Sequence, residues 1–378
     1  MTRVRTVFVG VSLLAVLCFA SFLVAAKSGG ENLFRSLGNL AEVVHLVETD
    51  YVDELNPEAL SLALDAGIVE SVDPWAAVVP TSRIEQWQHL VDTPPAYGLV
   101  LATRLGSAAV RAVIPGSPAD TAGLETWEVI EQVEGVYTRG RPMWQIRLEL
   151  AERQRADHPT TLTVLDRQVD KRREVVLDPT PWTPPEPVVE DRDDVRVVRL
   201  EGMPDGTAIA VAKIFAGREH VVLDLRSVAW GRDQEAVMIS DLYAGEGILA
   251  EWQGRKAGSK IYEASPGIEL TSLPVVLVSA ETEGPGEILA AALQRLGATL
   301  VGSTTIGHAP HMQFITDGDM ALWIPVGRWL GADGEPIHQT GVEPGETVEV
   351  PETDDPDADP ALDRALELAS ASALEQAA

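Results

Sequence analysis

The chain has 378 residues, 45% of them hydrophobic, and 58 acidic against 29 basic residues give it a net charge of −29. Its length suits two or three domains, and its composition excludes a disordered chain and a disulfide-stapled miniprotein. The single cysteine, Cys18, excludes an internal disulfide and a Cys-based zinc site, and the acidity argues against nucleic acid as a partner.

Residues 7–26 form an uncharged apolar run. At 1.5 Å per residue it spans about 30 Å, the thickness of a bilayer core. Arg3 and Arg5 precede it and Lys27 follows, so the positive-inside rule predicts a single-pass anchor with the bulk of the chain outside the cytoplasm. A cleaved signal peptide ending at Val24-Ala25-Ala26 is the competing reading. Residues 1–30 are thus a cytoplasmic stub and transmembrane helix.

Residues 31–95 read as a helical segment. Leu33, Leu37, Leu40, Val44, Val47 and Tyr51 recur at helical spacing. Asn56-Pro57 starts a second helix, Asp73-Pro74-Trp75 ends it, and a third covers Ser82 to Val91. Residues 96–178 read as a β-rich unit with strands at Ser107–Ile114, Val129–Val133, Thr160–Leu165 and Arg173–Leu177. Ser117-Pro118 to Gly123 is a complete short helix, and a second helix runs from Pro142 to about Arg153. Five prolines between Pro179 and Pro187, with the charge run Glu190–Asp194, predict an extended linker over 179–194. Residues 195–345 alternate strand and helix, the pattern of crossover βαβ units. Val195–Leu200, Ala208–Phe215, Val221–Leu225, Pro274–Ser279, Thr299–Gly302 and Met320–Pro325 read as strands, Asp233–Tyr243 and Gly286–Leu296 as helices. An acidic tail over 346–378 ends in a helix that begins at Asp359-Pro360.

Several stretches in this order resemble the carboxy-terminal processing (tail-specific) serine proteases. Tyr97-Gly98-Leu99-Val100, Pro115 to Ala119 and Ala122-Gly123-Leu124 resemble that family's PDZ domain. Glu287 to Gln294 is similar to its active-site helix, and Arg328-Trp329-Leu330 with Gly341-Val342-Glu343-Pro344 resembles its closing segment. The resemblance implies an α/β protease-like core plus a PDZ-like β domain behind a helical amino-terminal segment.

The family's chemistry uses a Ser nucleophile and a Lys base, because a serine hydroxyl needs a neighbour that takes its proton. Aligned without gaps, the nucleophile position is Gly284, which has no side chain. With one residue deleted near Ala298, the base position is His308, and no lysine follows Lys260. The position of the family's Gln falls on Met312, next to Gln313. The Pro-Gly-Gly that shapes the oxyanion hole falls on Ala229-Trp230-Gly231, with a large ring where a glycine is expected.

The sequence therefore predicts a membrane-anchored pseudoprotease with no catalytic residues and no cofactor. Its expected partners are protein C-termini or unfolded and partner envelope proteins. The loop Tyr97, Gly98, Leu99 and Val100 would aim backbone N–H groups at a chain-end carboxylate, with Gly98 permitting close approach; a vestigial domain is the alternative. The rival to the pseudoprotease is an active peptidase with a rebuilt Thr282–His308 site. His308 and His311 lack a third ligand, so no metal is expected.

Overall fold

The structure, a computed structural model, describes residues 38–52, 55–73, 75–166, 171–267, 269–348 and 358–376. They fall in two compact units, one ending at Leu64 and the other beginning at Asp65. The expected anchor at 7–26 lies outside the described residues. Among those described, no helix is long and apolar enough to cross a membrane. Helix α1 covers 38–50, and α2 (Pro57–Val72) begins with proline at a position whose missing N–H costs nothing. Strand β1 (Ala77–Pro80) and α3 (Ile84–Asp92) follow.

Residues 99–177 fold as an antiparallel sheet capped by a helix. The strands are β2 (Leu99–Arg104), β3 (Ser107–Val113), β4 (Val129–Val133), β5 (Val136–Tyr137), β6 (Thr160–Asp166) and β7 (Lys171–Leu177), with helices α4 (Pro118–Thr121) and α5 (Met143–Arg155). Their order is β2-β3-β4-β6-β7, with β5 beside β4, so β2 is an edge strand. Leu99, Leu101, Val110, Ile130, Leu162 and Leu177 face Ile146 and Leu150 of α5 in one core. Helix α4 forms as expected, with the Ser117 hydroxyl accepting the Asp120 N–H at 3.3 Å.

Gly98 has a different reason from the expected one. Its φ is +74°, and a Cβ there would lie 2.1 Å from Ser117 Cβ, so the inward packing of Ser117 demands glycine. Gly98→Val is therefore expected to cost roughly 3 kcal/mol of stability, from overpacking and positive-φ strain together. A thermal melt within a degree or two of the parent would contradict this packing.

The remaining strands are β8 (Val188–Arg192), β9 (Val195–Arg199), β10 (Val221–Asp224), β11 (Ile248–Gly254), β12 (Gly258–Glu263), β13 (Val275–Val278), β14 (Leu300–Gly302), β15 (Pro310–Asp317), β16 (Met320–Trp329) and β17 (Glu346–Thr347). The helices are α6 (Thr207–Phe215), α7 (Asp233–Asp241), α8 (Pro285–Arg295) and α9 (Pro360–Gln376). The central sheet runs β17-β14-β13-β10-β9-β8, parallel except for β8. Its strands are nearly continuous apolar runs because helices cover both faces. α6, α7 and α8 pack on one face, and Ala361, Ala365 and Ala369 of α9 on the other. A third sheet has the order β1-β16-β11-β12, with β15 paired to β16.

Two expectations are corrected. Ala208–Phe215 belongs to a helix, not a strand. The buried Glu235 carboxylate accepts the N–H groups of Gly206 at 2.9 Å and Ala208 at 2.7 Å, capping α6 from another helix. The expected linker is extended only through Pro187, after which Val188–Arg192 pairs with β9 as an edge strand.

Candidate active site

Chemistry in open α/β sheets gathers beyond the carboxyl ends of the parallel strands. Here β13 leads through Ser279–Glu283 into α8, and Gly284 stands at the turn with φ 56° and ψ −115°. A sharp strand-to-helix turn of this kind is where a nucleophile can be held exposed. A Cβ at Gly284 would meet only the His308 carbonyl oxygen, at 3.8 Å. The turn and the space are present, and the side chain is not.

Glu287, one turn into α8 and fully buried, fixes the surroundings. Its carboxylate accepts the N–H groups of Gly307 and His308, each at 2.7 Å, and of Gly284 at 3.2 Å, together with the Thr305 hydroxyl. Burial pushes Glu287 up to about 7 against these donors. One carboxyl group thus sets the spacing between the backbones of Gly284 and His308.

His308 Nδ1 is hydrogen-bonded to Glu283 Oε1. The other Glu283 oxygen accepts from Arg111 Nε at 3.0 Å, and Arg111 is 2% exposed. Arg111 Nη2 also donates to the carbonyls of Glu281 at 2.9 Å and Ala280 at 3.4 Å. Burial pushes Glu283 upward, but His308, Arg111 and Arg147 hold it below the ordinary glutamate value. The imidazole of His308 stacks on Trp75 at 3.7 Å with the rings 12° apart. Behind Trp75, His338 Nε2 bonds Asp73 Oδ2 at 2.7 Å. Burial raises Asp73, yet the bonds from His338 and the Trp75 N–H leave it below the ordinary range.

Thr282 is one residue from Glu283 but has its hydroxyl committed elsewhere. It is fully buried, donates to the Leu225 carbonyl at 3.1 Å and accepts the Ser279 N–H at 3.0 Å. His308 is bonded to Glu283 and not to Thr282. Trp230 turns its ring onto Gly202 and donates through Nε1 to the Glu201 carbonyl at 2.8 Å, so it forms part of the cleft wall. His311 stacks on Trp252, with centroids 4.0 Å apart, and is separate from the His308 cluster.

The expected carboxylate loop is differently used. Tyr97 N–H donates to Gln154 Oε1 at 2.9 Å, Gly98 N–H to the Pro95 carbonyl at 2.9 Å, and Leu99 N–H to the Ala96 carbonyl. Three of its four amides are spent within the fold. The Tyr97 ring is buried, its hydroxyl 2.8 Å from both the His158 carbonyl and Thr160 Oγ1. Leu99 and Val100 nonetheless line the same cleft of about 250 Å³ as Gly284, His308 and Trp230.

Sequence reasoning missed Trp75, Arg111, Arg147 and Glu283. The available signals were weak: Arg111 is the single charge in the apolar strand Ser107–Val113, and Glu283 is the acid beside Gly284.

Residues 194–348 match the model of Peptidase family S41. The chain is 24% identical over 352 residues to carboxy-terminal processing protease CtpA of Bacillus subtilis strain 168, covering 86% of this chain and 71% of that protein. It is 22% identical over 329 residues to a probable CtpA-like serine protease of Staphylococcus aureus strain MRSA252, covering 84% of this chain but only 65% of that one. Among solved structures, a photosystem II D1 C-terminal processing protease matches with a TM-score of 0.65 at 20% identity, over 80% of this chain and 86% of that one. That last likeness is one of fold. With the strand-to-helix turn at Gly284 and the parallel sheet behind it, these matches make residues 194–348 similar to Peptidase family S41, in a chain that resembles carboxy-terminal processing proteases.

Proposed function

We propose that this chain is a pseudoprotease of the S41 fold, which binds the ends of other protein chains as a scaffold or regulator and does not cleave them. The observation that carries the reading is Gly284. The turn that would present a nucleophile presents a hydrogen, and the hydroxyl of Thr282, two residues before it, is held by backbone groups on both sides. No lysine follows Lys260, so the base is absent as well. The unit over 96–178 serves in this reading as a PDZ-like binding domain. It carries 11 basic and 12 acidic residues, a net of −1, which makes it the part of the chain least hostile to an anionic chain end. The apolar run over 7–26 anchors the protein with these domains on the extracytoplasmic side.

One observation favours a second reading. Glu283 orients His308 through Nδ1, the arrangement that holds a catalytic imidazole in a hydrolase. A rebuilt peptidase site would use that pair. The test is incubation of the full chain with casein and with a serine-directed fluorophosphonate probe. Neither cleavage nor labelling is expected. Turnover by the parent that His308→Ala or Thr282→Ala abolishes would overturn the pseudoprotease reading and establish the second.

A further inference from the structure

The cleft in front of Gly284 is apolar where Leu99, Leu101 and Leu150 face Val91 and Pro95. One permanently cationic group enters it, Arg147 of α5. The side chain is half-buried, and Nη2 donates to the Leu101 carbonyl on the edge strand β2. No carboxylate among the described residues lies within ion-pair distance of it, although Glu283 is near enough to act through its field. Burial in the cleft pushes the guanidinium below its ordinary value, and Glu283 only partly opposes this. A guanidinium taken from water and paired only with a neutral carbonyl carries an unrepaid desolvation cost. A carboxylate repays it, because charge-assisted bonds to arginine are the stronger and can be bidentate.

We infer that Arg147 is the receptor for the free C-terminal carboxylate of a bound polypeptide whose apolar last residues fill the cleft toward Gly284. The inference rests on the reading of the chain as a binder of chain ends and names the group that recognises the end. It replaces the loop amides in that role, since those of Tyr97, Gly98 and Leu99 are already spent. The geometry also couples recognition to strand addition. Arg147 occupies the Leu101 carbonyl, an acceptor that a peptide lying along the β2 edge would use. A carboxylate is the better acceptor for the guanidinium, so its arrival releases Leu101 to the peptide backbone.

The experiment is fluorescence anisotropy of the full chain with an N-terminally fluorescein-labelled decapeptide ending in Ala-Leu-Val. Three forms are compared: free acid, C-terminal amide, and the amide carrying one internal aspartate. The parent should bind the free acid at least about 10-fold more tightly than either amide, and Arg147→Gln should abolish that preference. Arg147→Lys keeps the charge but not the fork and should retain part of the preference, with its melting temperature as a check on folding. A preference for the free acid that survives both substitutions overturns the role of Arg147 and leaves the chain-end reading standing. Equal binding of the free acid and the aspartate amide overturns chain-end recognition itself. No binding of any form overturns both.

Discussion

Arg111→Met is expected to destabilise the fold by about 3–5 kcal/mol, the usual cost of removing one partner of a buried ion pair. Arg111 leaves β3, crosses to the turn before α8, and holds three acceptors there: Glu283 Oε2 and the carbonyls of Ala280 and Glu281. Its loss leaves the buried Glu283 charge with His308 as its remaining hydrogen-bonded side chain and Arg147 acting only through its field. Two further variants separate this from lost packing. Arg111→Lys keeps the charge but cannot span the three acceptors, so its loss should be intermediate. The double variant Arg111→Met with Glu283→Gln removes the uncompensated charge and should be less destabilised than the two single losses added together. Urea unfolding at pH 7 measures the parent, the single variants Arg111→Met, Arg111→Lys and Glu283→Gln, and the double variant. An Arg111→Met midpoint indistinguishable from the parent would mean that this strut is not formed.

Glu287→Ala should cost a similar amount, about 3–5 kcal/mol, because it leaves the N–H groups of Gly307 and His308 and the Thr305 hydroxyl without their acceptor, while the Gly284 N–H keeps the His308 carbonyl at 3.0 Å. The same residue predicts a pH dependence. Burial raises Glu287 to about 7 from the 4.5 of an ordinary glutamate, so the folded state binds this proton more tightly than the unfolded chain. Its stabilising contribution is complete below about pH 4.5 and is lost as the pH rises through about 7. At about 1.4 kcal/mol per pH unit, the loss across that window reaches about 3 kcal/mol. Asp233, raised to about 6 by burial beside Trp329, adds a smaller loss of the same sign. Glu287→Gln does not titrate, so the parent-minus-variant difference isolates Glu287. That difference, parent stability minus variant stability, should fall by about 3 kcal/mol between pH 4.5 and 7.5; a constant or rising value would exclude the buried proton.

Much of the architecture was legible because it is written in local patterns. Apolar runs such as Val275–Val278, the Ser117-Pro118 start of α4 and the turn at Gly284 each act within a few residues. That position 284 is glycine and that no lysine follows Lys260 are one-dimensional facts and needed no coordinates. Ala208–Phe215 was not legible, since a short apolar run rich in Ala, Val and Ile suits a buried helix as well as a strand. Glu235, from a different helix, decides between them by capping the segment.

The contents of the site depended on tertiary structure for the same reason. Arg111 and Glu283 are 172 positions apart, and no spacing rule joins them. The side chain of Gln154, 57 positions beyond Tyr97, helps spend the loop amides that the sequence offered to a carboxylate. The sequence by itself determined that residue 284 is glycine and that no lysine follows Lys260, because residue identity needs no geometry. Only the folded chain decided which buried charges meet, because a charge taken from water must find its partner wherever the fold brings one near.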